Sequence, residues 1–404
     1  MRHLSYATIF AALSGFIVLW VAQWALDADT DYRYFTAFWG LFFATAGMID
    51  GLTHETTRAV AGARETGHTG NANPWRFGGW VAAVVVVLGL LCGWLLMPRV
   101  IPSSPVLATG LLVMGLSSYI FQALLSGALS GNRQWGSYAA LIAADSGIRL
   151  ALALVAWRAG WGIPAFLGIT VVGAFSWVVF IVANTGAPVD VNEREFLRRA
   201  CSAMVASGAS AALITGFPTA ANAAFPLSEG AAVSALINAV ILTRAPVLVP
   251  LQRFQSALVV RFVEQRHRVF SALAAPIAAV LGIGAVGFLA AWLIGPWILR
   301  LAFKPEMFVP GLTLGALTLA SAFMGSLMIT GIAVLAQEKH AWYVSGWVIA
   351  SVVSFTLMFV LPFGVAPTVC IALFAGPIAG SVVHAVGLTR PVTAAADPRD
   401  VPAV

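Results

Sequence analysis

Seven ionisable side chains fall inside or at the ends of long apolar runs, where a charge is costly. Asp145 and Arg149 stand four residues apart, the spacing at which two side chains share a helix face and can pair. Arg244 and Arg253 lie in a second run, with Pro246 and Pro250 between them. Proline withholds an amide donor and bends a helix, so the angle between these arginines does not follow from spacing alone. Asp50, His54 and Arg58 follow at i, i+4 and i+8 in a third run, a polar stripe toward its end.

Each group has a bland use and a sharp one. Asp145 and Arg149 can pin one helix against its neighbours, or Arg149 can bind an anion while Asp145 sets its rotamer or binds a coupling cation. Arg244, near mid-run, is expected either to contact an anion or to pair with Asp50 or Asp145. Arg253, nearer an end, can snorkel to the interface or join the same anion. The Asp50, His54, Arg58 stripe reads as a helix end facing headgroups, or as a gate latch and proton-coupling site. Ser118, Gln122 and Ser126 share another face and are expected to bond between helices.

Other chemistry is poorly provided for. Cys92, Cys201 and Cys370 lie in or near apolar runs with no paired spacing, so they read as small core residues. No Gly-rich phosphate loop and no metal-spaced His, Cys and carboxylate cluster occurs, so no cofactor, metal or enzyme activity is expected. The chain cannot itself be an ATP-driven pump.

The elements that must position these groups are membrane helices. Sixty per cent of residues are hydrophobic, 9% are charged, and mean hydropathy is +0.90. About 20 apolar residues carry an α-helix across the bilayer with every backbone group bonded internally. Twelve spans are predicted, at about 6–25, 35–58, 77–98, 105–130, 137–157, 164–183, 198–221, 230–260, 269–293, 309–335, 341–361 and 366–388. The expected fold class is therefore all-α, a polytopic membrane protein with short loops. Placing the N-terminus inside puts 14 Lys and Arg on the cytoplasmic side and 5, including Arg33, on the other. By the positive-inside rule both termini are then cytoplasmic, in a multi-pass protein of the cell membrane. That rule also accounts for the net charge of +6, so nucleic acid is not expected as a partner.

The halves resemble each other at an offset of about 206 residues, which sets Trp135 opposite Trp342. A duplication of six helices divides the chain into a bundle over 1–183, a cytoplasmic connector over 184–199 and a second bundle over 200–404. Six spans per half give a pseudo-twofold along the membrane normal, with a substrate site between the halves. Gly216-Phe217-Pro218 in span seven marks a kink or break.

The second span ends in Asp50-Gly51-Leu52 with Arg58 after it, and span four ends in small residues followed by Gly131-Asn132-Arg133. With span eight, SALINAVILTRAPVLVPLQRFQSALVVRF, these features resemble the multidrug/oligosaccharidyl-lipid/polysaccharide exporter superfamily. Within it the chain is most similar to Wzx-type polysaccharide flippases. That resemblance implies alternating-access movement of a polyprenyl-diphosphate-linked saccharide to the outer leaflet for cell-surface polysaccharide. Arg149 and Arg244, with Arg253, would meet the headgroup, and glycan-synthesis enzymes would be the partners of a monomeric carrier. The alternatives are a cation-coupled drug or metabolite antiporter, which would favour acidic cavity residues, and a membrane-embedded glycan polymerase or ligase, which would need a large outer loop.

Overall fold

The computed structural model of the chain describes residues 2–180, 188–337 and 339–390. In its first half the helices are α1 (Arg2–Ala25), α2 (Asp31–Thr66), α3 (Pro74–Val100), α4 (Pro105–Gly131), α5 (Trp135–Arg158), α6 (Ile163–Val172) and α7 (Trp177–Phe180). They continue as α8 (Glu193–Ile214), α9 (Phe217–Ala224), α10 (Gly230–Glu264), α11 (Val269–Ala302), α12 (Gly311–Ala336), α13 (His340–Val360) and α14 (Val365–Thr389). Among the described residues there is no strand. Among the described residues eleven spans are long and apolar enough to cross a membrane, and α8 with α9, bent by 54° at a short break, makes a twelfth when counted as one span. The all-α, twelve-span architecture expected from hydropathy is thus the one observed.

Local chemistry sets the helix ends. Asn73 accepts from the Arg76 amide and Asn192 from the Glu195 amide, so α3 and α8 begin at side-chain caps. Proline opens α3, α4, α6 and α9, where its missing N–H costs nothing. Pro218 opens α9 after the bend, as the Gly-Phe-Pro run implies. The pair Pro246 and Pro250 behaves otherwise: α10 is helical without interruption from Gly230 to Glu264.

Burial repeats between the halves. The third and ninth spans, α3 and α11, are each only 11% buried, and the fifth and eleventh, α5 and α13, are each 33% buried. The fourth and tenth spans, α4 and α12, differ, at 50% and 78%.

The chain divides into two compact units. The first comprises Met1–Ala239, Ile294–Pro310 and Met358–Val369; the second comprises Val240–Leu293, Gly311–Leu357 and Cys370–Val404. Compactness thus groups α8 and α9 with the first six spans, whereas the sequence repeat divides the chain at 184–199. Residues 184–187 of that connector lie outside the described residues.

In the first unit α2 is the central helix, packed against α4 on one side and α8 and α9 on another. Gly51 shows why the motif needs a glycine: a Cβ there would collide with the backbone of Ala203 and Met204 on α8. Small residues let transmembrane backbones approach closely, which replaces the hydrophobic drive that lipid removes. At the other end of α2, Arg33 is 1% exposed and donates to the carbonyls of Asn222, Phe225 and Pro226 and to Asn222 Oδ1. The sequence placed Arg33 among outer-loop cations. It is instead a buried staple that satisfies the free carbonyls at the end of α9.

Candidate functional site: a polar cluster in the first unit

Span six is not a continuous α-helix. After Val172 it tightens into a 3₁₀ turn over Gly173–Phe175 before α7 resumes. Such a change leaves carbonyls in search of donors, and the neighbouring helices supply them. Arg149 Nε on α5 donates to the Thr170 carbonyl at 3.0 Å, and Ser118 Oγ on α4 donates to the Ala174 carbonyl at 2.7 Å. Trp177 Nε1 in turn donates to Ser118 Oγ at 2.9 Å, and Ser176 Oγ bonds to Gln122 Oε1 at 3.2 Å. The shared face of Ser118 and Gln122 does bond between helices; both hydroxyl and amide serve span six.

The expected Asp145–Arg149 pair forms at 2.7 Å, with Arg149 5% exposed. Phe43 on α2 lies beneath the guanidinium, 5.2 Å from ring centre to Cζ, a cation–π contact. Gly173 has no room for a side chain, because a Cβ would meet Asp145 Oδ1 and the Arg149 guanidinium. Helix six is thus pressed onto the pair. Even so, Asp145 Oδ1 and Arg149 Nη2 are buried without a hydrogen-bond partner among the described residues. An unsatisfied charged atom is expensive in a low-dielectric interior, so both atoms have capacity for a further partner.

Asp50 on α2 joins this cluster, accepting from Tyr119 Oη at 2.8 Å, and Asp50, Tyr119, Asp145 and Arg149 lie within electrostatic reach of one another. Sequence reasoning missed Tyr119; the signal available was a single phenol one residue from Ser118 in an apolar span.

The stripe of α2 does not act as one unit. Asp50 faces the cluster, His54 is exposed, and Arg58 forms a separate clamp. Arg58 grips Glu55 through two nitrogens, Nη2 at 2.7 Å, and reaches Asp190 at 3.2 Å. The segment bearing Asp190 is held by three more bonds: the Asp190 amide donates to the Ala59 carbonyl, and the Gly70 and Ala72 amides donate to the Val189 and Val191 carbonyls. Arg58 therefore fastens the described part of the connector to the end of α2. Glu55 and Asp190 were not singled out from the sequence; Glu55, three residues before Arg58, was the legible half.

In the second unit Arg244 is buried on α10, with Thr243 beside it bonded to the Val240 carbonyl. The Arg253 side chain lies outside the described residues. His384 on α14 is fully buried and was not anticipated. Its Nε2 faces the Tyr343 carbonyl at 3.1 Å and its Nδ1 the Thr330 hydroxyl at 3.0 Å. A carbonyl only accepts, so Nε2 carries a proton; the Thr330 hydroxyl that Nδ1 faces itself donates to the Leu327 carbonyl. No group of three or more His, Cys, Asp and Glu that could hold a metal occurs among the described residues.

Comparison with known proteins adds two findings. The chain is 36% identical over 394 residues to the uncharacterized protein Rv1510 of Mycobacterium tuberculosis, covering 95% of this chain and 90% of that one. It is 37% identical over 398 residues to the uncharacterized protein Rv3630 of the same organism, with the same coverage. No protein-family model matches. Among solved structures it resembles the lipid II flippase MurJ in an inward closed conformation, with TM-score 0.70 and 15% identity over 96% of this chain and 88% of that one. It also resembles an inward-facing multidrug resistance MATE family transporter of the MOP superfamily, with TM-score 0.66 and 13% identity over 95% and 94%. A MOP superfamily transporter from Pyrococcus furiosus, described as having a binding pocket of reversed polarity, matches with TM-score 0.63 and 14% identity over 96% and 95%. These likenesses establish the fold.

Proposed function

The chain belongs to one family with the mycobacterial proteins Rv1510 and Rv3630, and we propose that it is an alternating-access flippase for a lipid-linked saccharide. The fold it shares with MurJ and MATE transporters supports a transporter. The Wzx-type resemblance of the Asp50-Gly51-Leu52 region narrows the cargo to a polyprenyl-diphosphate-linked saccharide, moved across the cell membrane for surface polysaccharide. The observation that carries this reading is the buried Arg149 guanidinium, whose Nη2 has no partner among the described residues while its other nitrogens are held in place. An oriented fork with a vacant donor suits a phosphate oxygen better than a cationic drug.

Arg149 and Arg244, with Arg253, are assigned to the diphosphate. Asp145 orients Arg149, Asp50 with Tyr119 is the coupling carboxylate, and Arg58 latches the connector, with exposed His54 as an accessory at that end. The carrier works as a monomer with both termini cytoplasmic, alongside glycan-synthesis enzymes. One observation favours a second reading, a cation-coupled antiporter: Asp145 Oδ1 is also buried without a partner among the described residues and could hold a cation. The two separate on substitution. Arg244→Gln, and Asp145→Asn together with Arg149→Gln, should each cause the lipid-linked saccharide to accumulate on the inner leaflet at near-normal protein abundance; unchanged export with sensitised drug resistance would favour the antiporter.

A further inference from the structure

Within the second unit, a cavity of about 630 Å³ opens where three segments meet: the start of α11, the turn between α12 and α13, and the end of α14. His267, Arg268, Ser271, Gln337, Lys339 and Arg390 line it. Three of these are permanently or normally cationic, the histidine is a fourth on protonation, and Ser271 and Gln337 add neutral donors. The positive-inside rule explains cations on one side of the membrane, but it does not explain their convergence around one cavity. Elsewhere in the chain Arg58, Arg76, Arg133 and Arg199 each have a carboxylate partner. Among the described residues no carboxylate lines the cavity, and Arg268, Lys339 and Arg390 form no ion pair there.

Lys339 is fixed in place by the chain itself. Its Nζ donates to the carbonyls of Gly387 at 3.0 Å and Arg390 at 2.6 Å, closing the end of α14. A fixed cation therefore shares the cavity with two exposed arginines, Arg268 and Arg390, with the first turn of α11, which carries no acidic residue, at the edge. That turn presents the positive end of a 34-residue helix. Fixed positive charge, vacant donors and a helix N-terminus together describe an oxyanion receptor.

We propose that this cavity binds the phosphate of an anionic phospholipid headgroup. Its position favours a membrane lipid over a soluble phosphate, because it sits at the ends of membrane-crossing helices and Phe270 beside it is 51% exposed, as a residue against acyl chains would be. A lipid bound there ties α11, α12 and α14 together at one end of the second unit. The inference holds whatever cargo the protein moves.

The purified full-length protein, released from detergent into the gas phase, can be scored for retained lipid by native mass spectrometry with phosphatidylglycerol and phosphatidylcholine in competition. The wild type should retain phosphatidylglycerol preferentially. Arg268→Gln with Arg390→Gln should weaken that preference about fivefold per arginine, from the attraction of each cation to anionic lipid. Arg268→Lys with Arg390→Lys should keep most of it. Removing equal charge at Arg64 and Arg198, in the first unit, should leave it intact. Lys339 is spared because its loss would also open the end of α14. Equal loss in both glutamine pairs, or no preference in the wild type, overturns the site. Saturation by inorganic pyrophosphate without lipid preference overturns the lipid assignment.

Discussion

Arg149→Gln tests how the polar cluster is built. The substitution removes the 2.7 Å bond to Asp145 and the 3.0 Å bond to the Thr170 carbonyl, and it leaves a carboxylate beneath the 3₁₀ turn of span six. Breaking a buried pair from one side costs about 3–5 kcal/mol, because the surviving charge stays desolvated. The Asp145 side chain keeps 16% exposure, so the lower part of that range is expected. Asp145→Asn should cost a similar amount. The double variant Asp145→Asn with Arg149→Gln removes both charges and should recover most of the loss, giving a coupling energy of about 2 kcal/mol or more between contacting residues. The assay is reversible unfolding of the purified protein in micelles, by denaturant titration of tryptophan fluorescence. Additive losses, or a single variant within about 0.5 kcal/mol of wild type, would refute a structural pair, since that is the range of an uninvolved surface change.

Other substitutions probe separate joints. Gly173→Ala places a methyl against Asp145 and Arg149 and should cost about 1–3 kcal/mol of overpacking, read by the same titration. Gly51→Val should separate α2 from α8 and lower yield and melting temperature, whereas Gly15→Val, in open space, should do neither. Arg33→Met strands carbonyls at the end of α9 and should destabilise by at least about 2 kcal/mol, because bonds to a charged donor are worth about 1.5–3 kcal/mol. Asp190→Asn loosens the Arg58 clamp; Arg58 is 39% exposed, so the effect on global stability should stay near or below about 1 kcal/mol, while amide exchange at 188–192 should accelerate.

What the sequence disclosed followed from local rules. Span positions were legible because lipid forces long uninterrupted apolar helices, and the bend at 216–218 because glycine and proline act on their own backbone. The Asp145–Arg149 pair was legible from a spacing of four. The remaining partners were not: Arg58 finds Asp190 at a separation of 132 residues, Asp50 finds Tyr119 at 69, and Arg33 finds Asn222 at 189. Nothing local encodes such distances. Arg33 looked like a loop cation because the carbonyls that enclose it belong to a helix end far along the chain. At the prolines of α10 the helix continues without a break, since a membrane helix can absorb a lost amide bond.

Transport itself is tested most directly in proteoliposomes that contain only this protein and a fluorescent polyprenyl-diphosphate saccharide in the inner leaflet. Appearance of the headgroup outside, measured by quenching with a membrane-impermeant reductant, should require the protein and should fall at least tenfold with Arg149→Gln or Arg244→Gln. Translocation no faster than in protein-free vesicles, or unaffected by both substitutions, would contradict the account.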